Sequence, residues 1–324
     1  MKTKEKLKKL FEENKGCFIS GEDIGKKLGC TRCAVWKAVK SLRAEGYDIP
    51  AIQNKGYCLA ENNDIITEEK IRKHLDTEKV KEINVFRSID STNSGLKTLA
   101  ANGAPEGTLV ISENQTAGRG RRGSSFFSPD NTGIYMSLLL RPDIPVTDAV
   151  KITTSAAAAA AEAIEELTGI PSKIKWVNDI YLRRRKVCGI LTEAATDIEC
   201  GRAEYVILGI GINVYPPSED FPDEIKNTAG CVFEERISDM RSMLAARVIS
   251  YFFRYYEELE KNTFFESYKK RIMWIGEKIN IISPSGTVPA FLTGINDDCG
   301  LLVKYADGTE GVVTSGEISI RKKL

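Results

Sequence analysis

The segment Gly118-Arg119-Gly120-Arg121-Arg122-Gly123 is the most informative part of this sequence of 324 residues. Its three glycines let backbone amides approach an anion, and its three arginines bring permanent charge and forked hydrogen-bond donors. It is not a Walker A loop, which requires Gly-Lys-Ser/Thr, and it does not fit a Gly-x-Gly-x-x-Gly turn after a strand. The segment therefore predicts a loop that binds a carboxylate or a phosphate, and the alternative is a basic turn without a ligand.

Three further polar segments flank this loop in the sequence. Ser91-Thr92-Asn93 offers short donors and acceptors to a small ligand rich in heteroatoms, or else caps a helix. Lys175-Trp176-Val177-Asn178-Asp179 ends a predicted strand, with Lys186 beyond the next turn, and strand ends in α/β sheets are common ligand sites, although Asn-Asp is also common in turns. The glycines of Gly209-Ile210-Gly211-Ile212-Asn213 permit close approach of a flat ligand.

The hydrophobic pattern predicts three domains: one of short helices followed by a hairpin over 1–64, a mixed α/β domain over 67–273 and a small β-barrel over 274–324. The polar stretch 61–64 is typical of a linker. Long helices are predicted at about 146–167, with six consecutive alanines, and at about 237–260. Predicted strands of the central domain are 109–112, 134–140, 173–177, 189–194 and 205–214, and those of the barrel are 278–282, 288–295, 301–305, 311–313 and 318–320.

Residues 1–60 predict a winged helix-turn-helix. Ser20 and Thr31 are placed to cap two successive helices, and the turn 53–56 separates two short strands. The second helix has one apolar and one basic face, as expected of a helix in the major groove, although a basic face can also be merely solvated. Trp36 belongs either to the core or to the DNA contact. The residues predicted to contact DNA are Thr31, Arg32, Trp36, Lys37, Lys40, Arg43 and Lys55.

Charge is unevenly distributed along the chain, although the formal net charge is only +1. Residues 1–60 contain eleven Lys and two Arg against seven acidic residues, a balance of +6, which leaves −5 for the remaining 264 residues. A basic head on an acidic body indicates that the head alone meets a polyanion.

The scarcity of some residue types excludes several classes of protein. One histidine, His74, excludes His-rich metal sites and leaves little choice of base for a catalytic triad. Eight cysteines without a signal peptide indicate reduced cytoplasmic thiols, and Cys30 and Cys33 lack the second pair that a zinc site requires. Because no apolar run approaches the roughly 20 residues of a membrane span, we expect a cytoplasmic protein without a membrane partner.

These features together resemble the family of bifunctional biotin–protein ligases that also act as biotin operon repressors, over nearly the whole chain. The matching segments are Ser20-Gly21-Glu22, Leu28-Gly29, Lys55-Gly56-Tyr57, Ile89-Asp90-Ser91-Thr92-Asn93, Gln115-Thr116-Ala117 with the loop 118–123, Lys175-Trp176-Val177-Asn178-Asp179, Arg185-Lys186-Val187-Cys188-Gly189-Ile190-Leu191 and Gly316-Glu317-Ile318-Ser319. The fold that the resemblance implies is an α+β multidomain protein with a winged helix-turn-helix, a ligase domain of the biotin/lipoate type and an SH3-like β-barrel.

The resemblance also implies a two-step reaction. Biotin and Mg-ATP give biotinyl-5′-AMP and pyrophosphate, and a lysine of the biotin carboxyl carrier protein then attacks the mixed anhydride, so no covalent enzyme nucleophile is needed. The same adenylate would act as corepressor, with a homodimer binding the operator DNA of biotin synthesis and transport genes when the adenylate is bound. Magnesium would enter with ATP, near Asp179, with no separate metal site in the protein.

The resemblance assigns roles to residues by their position in the matching segments. Ser91, Thr92, Asn93 and Gln115 would hold the ureido head, and Arg119 and Arg121 would close over the acyl phosphate. Lys186 would pair with the carboxylate or the phosphate, and Phe126 stands where the family often has a tryptophan against adenine. The implied biotin-binding residues are Ser91, Thr92, Asn93, Gln115, Arg119, Gly120, Arg121, Lys186, Gly189, Gly209 and Gly211. The implied nucleotide-binding residues are Arg121, Arg122, Phe126, Lys175, Asn178 and Asn213, and the implied catalytic residues are Arg119, Arg121, Lys186 and Asp179.

The sequence departs from the family pattern at Val177, which stands where a proline is usual and leaves the shape of that turn open. The residues that face DNA share the family's plan but not its side chains, so the operator sequence does not carry over. Two alternative functions remain open: a ligand-sensing transcription factor without transfer activity, and a lipoate or octanoate ligase with a related catalytic domain.

Overall fold

The computed structural model describes residues 2–196, 201–283, 286–314 and 319–322. Its N-terminal head contains the helices α1 (Thr3–Glu13), α2 (Gly21–Leu28) and α3 (Arg32–Ala44) and the short strands β1 (Ala51–Ile52) and β2 (Gly56–Tyr57). The two strands pair antiparallel and form a wing after α3. The predicted winged helix-turn-helix is confirmed.

Helix caps and one glycine account for the local shape of the head. Ser20 Oγ accepts a hydrogen bond from the backbone N–H of Asp23, and Thr31 Oγ1 accepts one from that of Ala34, so both caps lie where the sequence predicts them. Gly56 has φ +98°, and a Cβ there would lie 2.1 Å from the carbonyl oxygen of Ile19, so only glycine fits the wing. The buried face of α3 consists of Val35, Ala38, Val39 and Leu42.

The central domain is built on one seven-stranded sheet with helices on both faces. Its elements are α4 (Glu68–His74), β3 (Glu82–Phe86), α5 (Thr92–Ala101), β4 (Thr108–Ser112), β5 (Gly133–Leu140), α6 (Ala149–Thr168), β6 (Lys173–Lys175), β7 (Asp179–Leu182), β8 (Arg185–Thr196), β9 (Ala203–Asn213), α7 (Met240–Tyr256) and α8 (Phe265–Lys269). The strand order is β3-β4-β5-β9-β8-β7-β6, in which β3 and β4 are parallel and every other pair is antiparallel.

Successive residues of β8 show how the two faces of the sheet are used. Thr192 accepts a hydrogen bond from Thr153 of α6 (2.7 Å), whereas Glu193 accepts one from Asn93 of α5 (2.7 Å). Because side chains alternate across a strand, α5 and α6 lie on opposite faces. The six alanines 156–161 of α6 are fully buried between the sheet and α7, so their small side chains permit the close packing that the sequence predicts.

The C-terminal domain is a five-stranded antiparallel sheet. Its strands are β10 (Lys278–Ser283), β11 (Gly286–Ile295), β12 (Leu301–Tyr305), β13 (Glu310–Val313) and β14 (Ser319–Lys322), in the order β13-β12-β11-β10-β14. The prediction of a small all-β domain is confirmed. The family segment at 316–318 lies outside the described residues.

The stretch 61–64 differs from the exposed linker that its polarity predicts. Asn63 and Asp64 are 3% and 4% exposed, because their side chains bond to the two domains that they connect. Asn63 accepts from the backbone N–H of Asp48 in the head (2.9 Å), and Asp64 pairs with Arg241 of α7 (3.1 Å). The junction is therefore packed on both sides.

The sequence did not predict β3 and β7. β3 is an edge strand in which Glu82 and Asn84 interrupt the apolar residues, and β7 has only four residues. β3 is too polar, and β7 too short, for the hydrophobic pattern of either to be distinguished from that of a loop. No helix in the described ranges is long and apolar enough to cross a bilayer.

Candidate active site

The floor of the site is a trough across three strands of the sheet. Gly189 of β8 lies opposite Gly211 of β9, which lies opposite Tyr135 of β5. Two residues before Gly211 in β9, Gly209 lies opposite Ser137 of β5. Because directly opposed residues project to the same face, the three glycines remove side chains from adjoining places and leave a cleft beneath α5.

The narrow end of the cleft is a chamber of about 30 Å³. A Cβ at Gly209 would lie 2.2 Å from Asn93 Oδ1, so the chamber requires glycine at this position. Its lining residues are Ser91, Thr92, Asn93, Gln115, Arg119, Phe126, Tyr135, Met136, Gly189, Leu191, Gly209, Ile210 and Gly211.

Gln115 is fixed in this chamber by bonds at both ends of its amide. Its Oε1 accepts from the backbone N–H of Thr92 (2.8 Å) and from Thr92 Oγ1 (3.1 Å), and its Nε2 donates to Ser128 Oγ (2.9 Å). Ser137 Oγ lies 2.8 Å from Thr92 Oγ1 on the other side. The polar groups of the chamber are thus preorganised by the protein itself.

The wide end of the cleft is a chamber of about 230 Å³ in which positive charge predominates. Five basic side chains and one carboxylate line it, namely Arg119, Arg121, Arg122, Lys175, Lys186 and Asp179. Arg119, Phe126, Gly189 and Leu191 border both chambers, so the two form one continuous cleft. This arrangement suits a ligand with a compact polar head and an anionic tail.

Asp179 and Lys186 form an ion pair at the edge of the wide chamber. Lys186 Nζ lies 2.7 Å from Asp179 Oδ1, and both side chains are partly exposed (34% and 17%). The loop after β9 holds the backbone of Lys186, because the N–H of Lys186 donates to Thr228 (2.7 Å) and its carbonyl accepts from Gly230 (2.9 Å). The lysine is thereby anchored while its ammonium group faces the cleft.

Arg121 is positioned by Asn178. Arg121 Nη1 donates to Asn178 Oδ1 (3.1 Å), and Asn178 Nδ2 donates to the carbonyl of Ile190 (2.8 Å). Burial lowers the pKa of the Arg121 guanidinium from its ordinary value, while the nearby Asp179 opposes that shift. Partial burial deprives the charged guanidinium of some hydration, so an anion bound in the cleft would stabilise it.

The loop 118–123 folds as a compact turn on the cleft. The N–H of Gly120 donates to the carbonyl of Ser124 (2.7 Å), and the N–H of Phe126 donates to that of Gly118 (2.9 Å). A Cβ at Gly118 would lie 2.4 Å from the carbonyl oxygen of Phe126, so this glycine permits the closure. Arg122 adopts φ +57° at the apex.

Phe126 covers the boundary between the two chambers. Cβ atoms at Gly211 and Gly189 would lie 2.6 Å and 3.3 Å from its ring, which therefore rests directly on the glycine trough. Its ring centroid lies 6.4 Å from that of Tyr135 in an edge-to-face arrangement. The flat surface that the sequence predicts for adenine stacking thus lies at the cleft.

The turn that contains Val177 is held by other parts of the chain. Trp176 Nε1 donates to the carbonyl of Cys299 in the C-terminal domain (2.7 Å), and Tyr268 Oη donates to the carbonyl of Val177 (2.9 Å). The peptide bond between Trp176 and Val177 is cis. The C-terminal domain thereby helps to position Asn178 and Asp179.

With one exception, the residues predicted for biotin, nucleotide and catalysis line this cleft. The exception is Asn213, whose amide donates to the carbonyl of Gly230 (3.2 Å) and borders neither chamber. The sequence did not predict Glu193, although alternation along β8 places it on the same face as Gly189 and Leu191. Ser137 was also missed, because only the strand register brings it opposite Gly209.

Three family models match successive parts of the chain. They are an HTH domain over residues 3–58, the Biotin/lipoate A/B protein ligase family over 85–213 and the Biotin protein ligase C terminal domain over 274–321. The "Bifunctional ligase/repressor BirA" of Bacillus spizizenii is 38% identical over 95% of this chain and 96% of its own length. The chain belongs to the bifunctional biotin ligase/repressor family. Its Escherichia coli relative of the same name is 31% identical over 94% of each chain.

The ligase part of this bifunctional ligase/repressor is also similar to solved structures. Biotin protein ligase from Aquifex aeolicus, in complex with biotin and ATP, is 27% identical, with a TM-score of 0.62 over 75% of this chain and all of that chain. The resemblance found in the sequence is thus confirmed for the family, the fold and the enzyme class.

The helix α3 of the ligase/repressor exposes the residues predicted for DNA. Trp36 is 52% exposed, with Lys40 Nζ 5.4 Å from its ring centroid, so it belongs to the surface and not to the core. Lys37 and Lys55 are also exposed. Arg43 differs from the others because its Nε donates to the carbonyl of Ile49 (2.8 Å), which ties α3 to the segment before the wing.

Proposed function

We propose that this ligase/repressor activates biotin with ATP and transfers it to a lysine of a biotin carboxyl carrier protein. One observation carries this proposal: a small, preorganised polar chamber opens directly into a chamber with five basic side chains and one carboxylate. The first matches a ureido head, and the second matches a carboxylate that reacts with a polyphosphate.

In the first step, the biotin carboxylate attacks the α-phosphate of ATP and pyrophosphate leaves. Arg119 and Arg121 neutralise the negative charge that develops on the phosphoryl oxygens, and Lys186 holds the carboxylate beside them. Much of the rate acceleration should come from holding the two anions together. Binding compensates both their mutual repulsion and their loss of translational and rotational freedom. Phe126 offers its ring to the adenine.

In the second step, the carrier lysine attacks the acyl carbon, AMP leaves and an amide forms. The attacking amine must lose a proton, and Asp179 is the sole carboxylate among the described residues that line the wide chamber. Its ion pair with Lys186 opens when Lys186 moves to the acyl phosphate, which frees Asp179 to orient the incoming ammonium group and to accept its proton, so that the neutral amine attacks. Arg119 and Arg121 stabilise the departing AMP.

Magnesium fits this cleft only together with the nucleotide. The described residues contain no group of three potential ligands, but Asp179 supplies the one carboxylate that Mg²⁺ typically takes from a protein when phosphates supply the rest. Bound Mg²⁺ would neutralise the leaving pyrophosphate. Asn213 remains a predicted nucleotide contact.

We further propose that the head represses transcription as a homodimer with biotinyl-5′-AMP as corepressor. β7 pairs with β8 only as far as Gly189, and no described strand pairs with that edge of β8 beyond Ile190. A groove of about 970 Å³ runs along it and is bordered by Arg121 and Arg122. An unpaired strand edge beside the adenylate loop suits strand-to-strand dimerisation. The cytoplasmic location stays a prediction.

Incubation with a purified carrier domain, biotin and ATP, followed by intact mass, tests the ligase. We expect one biotinyl group on the carrier, and Lys186→Met should reduce the rate strongly while Arg183→Met, on the exposed turn after β7, should not. Lipoate or octanoate labelled in preference to biotin would identify the alternative ligase, and an unlabelled carrier with bound adenylate would identify the sensor without transfer.

Sedimentation and fluorescence anisotropy test the repressor. We expect biotin and ATP together to convert monomer to dimer and to strengthen binding to the upstream DNA of biotin genes. DNA affinity and mass that are both unchanged by the two substrates would contradict the regulatory proposal without affecting the ligase.

A further inference from the structure

The Asn93 side chain has one acceptor and two donors at its amide, so its orientation decides what the narrow chamber presents to a ligand. Asn93 Nδ2 donates to Glu193 Oε2 (2.7 Å). An ionised carboxylate has only acceptors, so the NH₂ group must face Glu193. Asn93 Oδ1 is thereby directed to the chamber, where it accepts from Ser137 Oγ (2.6 Å) beside Gly209.

Glu193 is kept ionised by its surroundings. Lys97 Nζ, one turn after Asn93 on α5, lies 2.8 Å from Glu193 Oε1, and Arg119 Nη2 lies 3.3 Å from the same oxygen. Burial raises the pKa of Glu193, but the hydrogen bonds from Lys97 and Asn93 outweigh it and the pKa is lowered. The carboxylate is therefore ionised, and so an acceptor only, at neutral pH.

We propose that Glu193 determines the specificity of the narrow chamber by locking the Asn93 amide with its oxygen toward the ligand. The locked oxygen selects a ring that offers an N–H donor at this place, as a cyclic urea does, over a ring with oxygen or sulfur there. Placing the ureido head in this chamber is part of the proposed function, on which the inference rests.

Glu193 acts through Asn93 and is therefore a positioning residue. Its own oxygens are occupied by Asn93, Lys97 and Arg119. Removing it frees Arg119 but leaves Arg121 and Lys186 on their own partners Asn178 and Asp179. The dissociation constant and KM of biotin should therefore rise by a larger factor than kcat at saturating biotin falls.

The test compares biotin with its two cyclic carbamate analogues, in each of which oxygen replaces one ureido N–H. Calorimetric titration of the full chain measures the dissociation constants without any transfer step. The unsubstituted protein should prefer biotin to one of the two carbamates by about tenfold, the value of one hydrogen bond to a satisfied site. In Glu193→Ala this preference should fall to about twofold or less.

Two further variants isolate the cause. Glu193→Gln keeps an acceptor for Asn93 Nδ2 and should keep the preference, and Glu204→Ala, at an exposed position of β9, should leave all three constants unchanged. If Glu193→Ala does not fold, Glu193→Met fills a similar volume without an acceptor and gives the same readout.

Other outcomes would overturn the inference. Equal weakening of biotin and both carbamates would make Glu193 merely structural, and an unaltered preference in folded Glu193→Ala would remove its role altogether. If the unsubstituted protein binds no biotin, the proposed function fails with it, whereas binding without transfer to the carrier contradicts the ligase alone.

Discussion

The guanidinium of Arg241 pairs with the carboxylate of Asp64, and both side chains are fully buried. Arg241 Nε lies 3.1 Å from Asp64 Oδ2, and the backbone N–H of Arg241 donates to Asp64 Oδ1 (3.1 Å). The same guanidinium contacts Glu113, whose other oxygen accepts from the N–H of Ile66 (2.9 Å). The network joins the junction after the head to the first turn of α7 and to the strand end that leads to Gln115.

Replacing Arg241 by methionine should strongly destabilise the protein. Two buried carboxylates would lose their cation, and breaking such pairs costs about 3–5 kcal/mol. Urea unfolding measures the change. Arg254→Met is the matched control, because Arg254 is 60% exposed beside Glu162 and its loss should cost less than about 1 kcal/mol. Equal costs for both variants would contradict the account.

Gly209→Ala should close the narrow chamber. The new methyl group would meet Asn93 Oδ1 at 2.2 Å, so Asn93 must shift and biotin should bind at least about tenfold more weakly. Calorimetry on the folded variant measures this. At Gly294 the nearest atom to a new Cβ is 3.8 Å away, so Gly294→Ala should leave biotin affinity unchanged. Unchanged affinity in Gly209→Ala would place the head elsewhere.

Arg121→Gly should let the activated adenylate escape from the cleft. Without the guanidinium that Asn178 positions at the cleft, biotinyl-5′-AMP should dissociate before transfer and acylate lysines on unrelated proteins. Mass spectrometry of an added bystander such as serum albumin detects this labelling. Arg183→Gly, on an exposed turn, is the control, and labelling confined to the carrier would count against the role of Arg121.

Glu165 should give the folded state a dependence on acid pH. Burial raises its pKa, but hydrogen bonds from Arg271 and Ser172 prevail and lower it from the ordinary 4.5. A lowered folded pKa stabilises the folded protein above about pH 4.5, and this contribution is lost as the pH falls through the folded value. The difference in unfolding free energy between the unsubstituted protein and Glu165→Gln should therefore shrink on acidification.

The exposed Glu219 provides the comparison for this pH series. Glu219→Gln should have the same unfolding free energy as the unsubstituted protein at each pH. A difference for Glu165→Gln that stays constant down to about pH 3 would mean that its charge contributes nothing.

Lys37→Ala should weaken DNA binding equally for all DNA sequences. One fewer phosphate contact should reduce the slope of the logarithm of affinity against that of salt concentration by about 1. Anisotropy titrations at several salt concentrations measure the slope. Lys304→Ala, at an exposed position of β12, is the control and should leave this slope unchanged. An unchanged slope for Lys37→Ala would mean that Lys37 does not contact DNA.

Local patterns predicted the head and the long helices, because caps and apolar periodicity act over a few residues. Nearly all cleft residues were instead assigned through the resemblance of short segments to the family. The register of the sheet depends on pairing between strands that are far apart in the sequence, so local patterns do not determine it. Ser137 lies against Asn93 only because β5 and β9 pair in one particular alignment, which no short segment encodes. The burial of Asp64 likewise depends on Arg241, a partner far along the chain.

The packed junction limits how the head can be removed. A chain shortened to begin at residue 67 would keep every residue of the cleft, yet Arg241 would lose the carboxylate and the carbonyl of Asp64 and keep Glu113 and the carbonyl of Gly133. One that begins at residue 60 would retain them all. A shortened ligase must therefore preserve this short tether or replace Arg241 as well.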